Sequence, residues 1–370
     1  EFYQIVAANG GFDCIIGNPP YVVYTANNFN YTVKGYNTLS TSNLYAYCTE
    51  RSFELINPNG LFSFIIPNSG ISADKLAPLQ EVISHMKTSW ISNFAWRPAK
   101  LFEGANMLLA ILIVRTSSTS EIYSSPYYRW YNEYRNELFE NITYRESTKL
   151  KVNGSIPKLT SDVYTSINTK LEKQRKKCSS YFKPYNTSFL LYYFRAVLYW
   201  VKILDGVPVF KEDGKNKVTG EMKTMYFDNE SQKYSFISLL SSSLYFLYYT
   251  TWSSCQVINS RDFDIKLNFD DLDKETTNRF LELGKKLQTD FQNNSSVIKR
   301  NYSSKGREFV MEKQYFYLKK SKPIIDQIDT VLAEHYGFTE AELDFIINYD
   351  IKFRMGDALF EQIEDDDEED

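Results

Sequence analysis

The alternation of apolar and polar positions is clearest in the first third of the chain. The run Phe12-Asp13-Cys14-Ile15-Ile16-Gly17 predicts a buried strand over residues 12–16. Residues 23–40 are polar and rich in Asn, Tyr and Thr, and predict a long loop of the kind that often carries function. Thr41 or Ser42 is placed to cap a helix reaching about Ile56, with Leu44, Cys48, Leu55 and Ile56 on one face. Asn57-Pro58-Asn59-Gly60 predicts a turn, and Leu61-Phe62-Ser63-Phe64-Ile65-Ile66 a buried strand ended by Pro67. An amphipathic helix over 74–87 and a strand over 91–96 follow, and Leu108 to Val114 reads as the last strand of this part. Strands alternating with helices imply a doubly wound α/β sheet.

The composition shifts after Ser117-Ser118-Thr119-Ser120, and the remainder reads as mixed α and β. Ser235 to Tyr249 is a long apolar, aromatic stretch that predicts a core helix. Residues 274–294 predict a polar-faced helix, and Asp326 to Glu334 another, closed by Gly337. Thr339-Glu340-Ala341-Glu342 has the form of a helix start with an acidic first turn.

Composition changes this picture in three ways. The formal net charge is −4, but residues 357–370 hold nine acids and no bases; without them 42 bases face 37 acids. Residues 145–223 carry sixteen bases and seven acids, so a neutral front and an acidic, solvated tail enclose a basic middle. Two histidines in separate regions, His85 and His335, argue against Ser-His-Asp catalysis and against a His-rich metal site; each reads as a surface or helix-end residue. The four cysteines, Cys14, Cys48, Cys178 and Cys255, show no zinc or disulfide spacing. Asp262 and Asp264 read as surface charge.

The most specific signal is Asn18-Pro19-Pro20-Tyr21, directly after the first strand. An exocyclic amine on a heteroaromatic ring is a poor nucleophile because its lone pair is delocalised. Two oxygen acceptors aimed at its hydrogens localise that pair, and the side-chain oxygen of Asn18 and the carbonyl of Pro19 are the candidates. Consecutive prolines hold the carbonyl direction, and Tyr21 offers a face for a planar base.

The motif resembles the catalytic motif of S-adenosylmethionine-dependent amino-methyltransferases, above all the adenine-specific DNA methyltransferases of type II (IIG-like) restriction–modification systems. Leu101-Phe102-Glu103-Gly104-Ala105 resembles a later motif of that family, whose aromatic packs on the flipped adenine opposite Tyr21; that role falls on Phe102. Leu239-Leu240-Ser241-Ser242-Ser243-Leu244 resembles a helix of the target-recognition domains of such enzymes. The resemblance implies an incomplete doubly wound Rossmann-like methyltransferase sheet, then a mixed α+β target-recognition domain and C-terminal helices. The implied divisions are 1–118 (second half of the catalytic domain), 119–315 (target recognition), 316–356 (helical) and 357–370 (acidic tail, disordered).

The family's cofactor turn is Gly-rich and lies well upstream of the catalytic loop. No such turn is readable here, and Gly10-Gly11 leads into a strand rather than a helix. The expectation is therefore a partial enzyme, with most of the S-adenosylmethionine site in a missing upstream half or partner subunit, that binds the cofactor weakly or not at all. The implied partner is double-stranded DNA, with Arg175, Lys176 and Lys177 as candidate phosphate contacts. Other readings are a non-catalytic DNA-recognition or assembly subunit, or methylation of RNA or protein glutamine. No metal, membrane span or signal peptide is expected, and the implied location is cytoplasmic.

Overall fold

The computed structural model describes residues 2–25, 27, 29–85, 88–103, 106–117, 119–150, 154–159, 161–304 and 306–356. Gly104 and Ala105 of the second motif and the acidic tail 357–370 lie outside the described residues. The chain forms two compact units, one of residues 1–164 and 250–256, the other of 165–249 and 257–370.

In the first unit, α1 (Tyr3–Asn9) precedes β1 (Phe12–Gly17). α2 (Leu44–Leu55) runs directly into β2 (Ile56–Pro67). α3 (Ser69–Ser72) and α4 (Ala77–His85) lead to β3 (Thr88–Phe94), β4 (Leu109–Arg115), β5 (Glu121–Tyr128) and β6 (Arg145–Glu146). The six strands form one sheet in the order β1-β2-β4-β3-β5-β6. β1 is parallel to β2 and β3 to β5, whereas β4 runs antiparallel to both β2 and β3, and β6 antiparallel to β5. The sheet is thus mixed rather than doubly wound throughout: β1, β2, β3 and β5 point one way, with β4 reversed between β2 and β3. Nor does it stop at β4, since β5 and β6 extend it beyond β3.

Alternation along the strands builds two cores. Phe62, Phe64 and Ile66 of β2 share a face with Val114, Leu112 and Ala110 of β4, and α2, α3 and α4 cover that face with Tyr45, Ala46, Ile71, Leu79 and Ile83. On the opposite face Ile65 and Ile111 pack with Phe94, Leu109 and Trp130 under a loop cover that includes Leu101 and Leu138.

Several local expectations shift. α2 begins after Asn43, and its buried positions are Tyr45, Ala46, Tyr47, Thr49, Glu50 and Ser52, not Leu44, Cys48 and Leu55. The Asn57-to-Gly60 turn is absorbed into β2. The β1–β2 register jumps from Phe12↔Ile56 to Cys14↔Leu61, and Asn59 N–H donates to Asn57 Oδ1 at 2.8 Å, so the turn chemistry survives as a bulge. The strand expected over 91–96 spans 88–94.

The second unit follows α5 (Asp162–Glu172) with β7 (Phe189–Phe194), β8 (Ile203–Leu204), β9 (Phe210–Glu212), β10 (Lys215–Asn216) and β11 (Met222–Phe227). Then come α6 (Glu230–Ser241), α7 (Ser243–Trp252), α8 (Lys274–Asn293), β12 (Ser295–Ser304), β13 (Arg307–Phe316), α9 (Lys322–Tyr336), α10 (Glu340–Ile347) and α11 (Ile351–Met355). Two small sheets have the orders β11-β7-β8 and β10-β9-β13-β12. The apolar stretch over 235–249 is two helices, not one. It breaks at Ser242, where buried Asp329 accepts from the first N–H groups of α7, Ser243 at 3.1 Å and Leu244 at 3.0 Å. Gly284 of α8 sets the approach to α6: a Cβ there would meet Tyr234 O at 2.5 Å.

Candidate functional site

β1 ends where its sequence loses N–H donors, at Pro19 and Pro20. Asn18 is exposed and Pro19 buried. Among the described residues no hydrogen bond engages the Asn18 amide. The β1–β2 ladder closes at Gly17↔Phe64, and at the next position of β2 the carbonyl of Ile65 accepts from the Tyr21 hydroxyl at 2.9 Å. Tyr21 therefore continues, with a side chain, an edge that the prolines interrupt. Its ring meets Tyr45 edge to face, with centroids 6.2 Å apart. Burial, with a smaller contribution from Tyr45, pushes the phenol up to about 12, so it remains a neutral donor at physiological pH. Beyond Tyr21 the chain pairs with the start of α2: Leu44 N–H donates to Val22 O at 3.0 Å and Tyr24 N–H to Ser42 O at 2.9 Å. The loop is pinned on both sides of the motif while Asn18 stays outside.

The mouth of the long loop is also tied down. Buried Glu50 accepts from the backbone and side chain of both Asn37 and Thr38 at 2.7–2.9 Å. Burial pushes this carboxyl up, but those four hydrogen bonds outweigh it and hold it below the usual range.

Phe102 is half-buried on the same apolar cluster as Tyr21, the one built on Phe94, Leu109 and Trp130. The two aromatics assigned to the target base thus share one support. On the other face of the sheet, in register with Ala110 and Ile66, lies a polar network that sequence reasoning missed. Asn68, fully buried after β2, donates to Asn93 Oδ1 at 3.0 Å, and Asn93 donates to Ser124 Oγ at 3.2 Å and Ser125 O at 3.1 Å. Among the described residues the Oδ1 of Asn68 has no hydrogen-bond partner. The one available signal was an Asn inside the strand Ile91-Ser92-Asn93-Phe94.

Arg175, Lys176 and Lys177 belong to the second unit. Arg175 is exposed, but Lys176 is paired with Asp270 and lies 5.4 Å from the centre of the Tyr181 ring, and Lys177 is 2.7 Å from Asp264. Two further cations of the basic middle pair with acids later in the chain, Lys170 with Glu342 and Lys183 with Asp228. Lys158 is buried, donating to Ser253 O at 2.6 Å. Asp262 is not surface charge either. It is buried and forms a reciprocal cap with Asn259, its carboxylate accepting from Asn259 N–H at 2.7 Å. Both histidines sit in the last turns of helices, His85 exposed on α4 and His335 half-buried on α9.

The glycines of β1 and β2 and the one just before β1 do not open a turn for a cofactor. Gly11 has φ +134°, but a Cβ there would meet the backbone of Leu55, Ile56 and Asn57 at 2.6–2.7 Å, so the chain itself fills the space. Gly17 is closed by the Phe64 ring and Gly60 by Ile56 and Phe12 O. A cavity of about 660 Å³ opens between α2 and α4, lined by Glu50, Phe53, Glu54, Glu81 and His85, and includes none of the motif residues. Among the described residues no group of three or more His, Cys, Asp or Glu side chains is placed to hold a metal ion, and no helix is long and apolar enough to cross a membrane.

Residues 1–102 match the family described as Eco57I restriction-modification methylase, which relates this part of the chain to restriction–modification methylases. No curated protein matches the chain significantly. Among solved structures, the type IIL restriction-modification enzyme MmeI in complex with DNA is 11% identical, with a TM-score of 0.49 over 95% of this chain and 58% of that one. The type ISP enzyme LlaGI, a nuclease-deletion mutant with a DNA substrate mimic, is 11% identical, with a TM-score of 0.43 over 84% and 47%. The type IIG restriction endonuclease BpuSI is 9% identical, with a TM-score of 0.32 over 91% and 54%. The chain spans about half the length of these three proteins. At these identities and scores the likeness is too weak to assign a role to any residue.

Proposed function

We propose that residues 1–118 carry the amine-orienting half of an adenine N6-methyltransferase acting on duplex DNA within a restriction–modification system. The observation that carries the reading is the fixed loop after β1: Asn18 is exposed on a backbone held by two prolines, by the Tyr21–Ile65 hydrogen bond and by pairing with the start of α2. The match of residues 1–102 to restriction-modification methylases supports the same chemistry. In this reading Asn18 Oδ1 and the Pro19 carbonyl accept from the adenine amine and localise its lone pair, while Tyr21 and Phe102 take the extruded base between them. The methyl donor of the family is S-adenosylmethionine, and its cradle lies outside the described residues.

The edge of the sheet supports a completing segment. Among the described residues β1 pairs on one side only, with β2, although parallel strands are ordinarily interior. Its Ile16 is 81% exposed, and Tyr3 of α1 is 82% exposed. Further strands beside β1, from elsewhere in the protein or from a partner subunit, would pair with that open edge. The division at 118, with target recognition over 119–315 and helices over 316–356, belongs to the same proposal.

The test is Asn18→Ala in the complete enzyme. Transfer should fall by at least roughly a hundredfold, the scale of losing one preorganised polar group in a transition state, with DNA affinity unchanged. Full activity in that variant removes the assignment.

A further inference from the structure

The four-stranded sheet of the second unit carries chemistry that the catalytic reading leaves unused. β12 and β13 form a hairpin paired from Ser295↔Phe316 to Ser304↔Arg307, and β9 and β10 extend it beyond β13. Paired residues share a face and successive residues alternate, so the register sorts the charges. The strand positions of one face collect Arg300, Arg307, Lys313 and Lys215 against Glu212, with Asp213 of the following turn also paired to Arg307. The other is balanced, with Lys299 and Lys211 set against Glu308 and Glu312, and Lys299 3.1 Å from Glu312.

On the basic face each hairpin cation lies over a ring of the same face. Arg300 is 5.9 Å from the centre of Tyr315, Lys313 5.7 Å from Tyr302, and Arg307 5.7 Å from Phe309. Arg307 is also held by Glu212 at 3.0 Å and Asp213 at 2.7 Å. From Arg307 to Lys313 the cations span about 20 Å of strand at about 3.4 Å per residue.

We propose that this face docks on the sugar-phosphate backbone of duplex DNA and supplies affinity without reading sequence. The inference rests on the DNA-directed reading above and names the surface that would meet the partner. The charge asymmetry between the two faces selects a polyanion. The rings that a single strand would need for base stacking are already covered by cations, which leaves phosphate contact as the available mode.

The test replaces Arg300, Lys313 and Lys215 together with Gln in the complete enzyme and titrates a labelled duplex over a range of salt concentrations. Lys299→Gln, on the balanced face, is the control, and circular dichroism and thermal unfolding check the fold. The triple variant should bind the duplex at least about tenfold more weakly at 0.1 M salt, with a salt slope shallower by about 2–3, since each lost phosphate contact removes about 0.9. The double variant Lys215→Gln/Lys313→Gln leaves Arg300 on Tyr315; it answers the question if the triple variant unfolds, and should flatten the slope by about 1–2. Unchanged affinity and slope in folded variants, while the unaltered enzyme binds duplex, overturn the surface assignment alone. A loss confined to single-stranded DNA or RNA overturns the choice of duplex. An unaltered enzyme with no duplex affinity overturns the DNA-directed reading itself, and the proposal with it.

Discussion

Tyr21 offers a way to separate what holds the loop from what holds the base. Its hydroxyl makes one hydrogen bond, 2.9 Å to Ile65 O, and its ring packs on both cores of the first unit. Tyr21→Phe removes the first and keeps the second. The stability cost should be about 0.5–1.5 kcal/mol for one neutral hydrogen bond. The ring still presents a face to a base, so the methylation rate at saturating DNA should fall no more than about tenfold. Tyr21→Ala also removes the stacking face. Base–aromatic stacking is worth about 1–3 kcal/mol, or roughly 5–150-fold in the population of the extruded, bound base. Truncating a half-buried ring adds about 2 kcal/mol of lost packing to the stability cost. The assay pairs initial methylation rates of the complete enzyme with urea unfolding of each variant. The ordering wild type, then Phe, then Ala is required in both. If Tyr21→Phe unfolds normally yet loses as much activity as Tyr21→Ala, the hydroxyl and not the ring does the chemistry, and the stacking role is wrong.

Three further outcomes follow from the same geometry. Asp329 is fully buried against the start of α7, and burial pushes its carboxyl up to about 6, with hydrogen bonds from Leu244 and Ser243 pulling the other way. The folded state therefore holds a proton that the unfolded chain releases near pH 4, so its contribution to stability is full below that pH and is lost as pH rises through about 6, by roughly 3 kcal/mol. Urea unfolding between pH 4 and 7.5 should show this slope, and Asp329→Asn should remove it; an unchanged slope refutes the assignment. Glu50 has the opposite sign: its depressed carboxyl stabilises above the ordinary glutamate range and is lost in acid. Glu50→Ala strands four donors on Asn37 and Thr38, at a cost of roughly 2–4 kcal/mol, and amide exchange at Thr38 should rise before that of β2; exchange unaltered at Thr38 contradicts it. S-adenosylmethionine titrated calorimetrically into this chain alone should give weak or undetectable binding, and micromolar one-to-one binding would place the cradle within residues not recognised here.

How much could be read from the sequence depended on whether the signal was local. Gly337 ends α9 with φ +66°, and Thr339 and Glu342 form the reciprocal cap of α10, because caps are decided within four residues. β1 and β4 matched to within a residue or two because continuous apolar runs declare buried strands. The reversal of β4 was not legible: Leu109 to Val114 reads the same in either direction, and only its pairing with both β2 and β3 shows it. The break at Ser242 depended on Asp329, 87 residues away in the chain. Nor was the pairing of four cations of residues 145–223 legible, since Asp228, Asp264, Asp270 and Glu342 return to them from later in the chain. At the loop, sequence identified the residue types, but the Ile65 carbonyl that positions Tyr21 and the cluster that Tyr21 shares with Phe102 are products of the fold.

The most direct measurement is the identity of the methylated product. The complete enzyme containing this chain would be incubated with labelled S-adenosylmethionine and DNA, RNA or protein, and each digested and resolved by mass spectrometry. The account predicts N6-methyladenine in duplex DNA, lost in Asn18→Ala. Label in RNA or on glutamine, or N6-methyladenine that persists in Asn18→Ala, would contradict it.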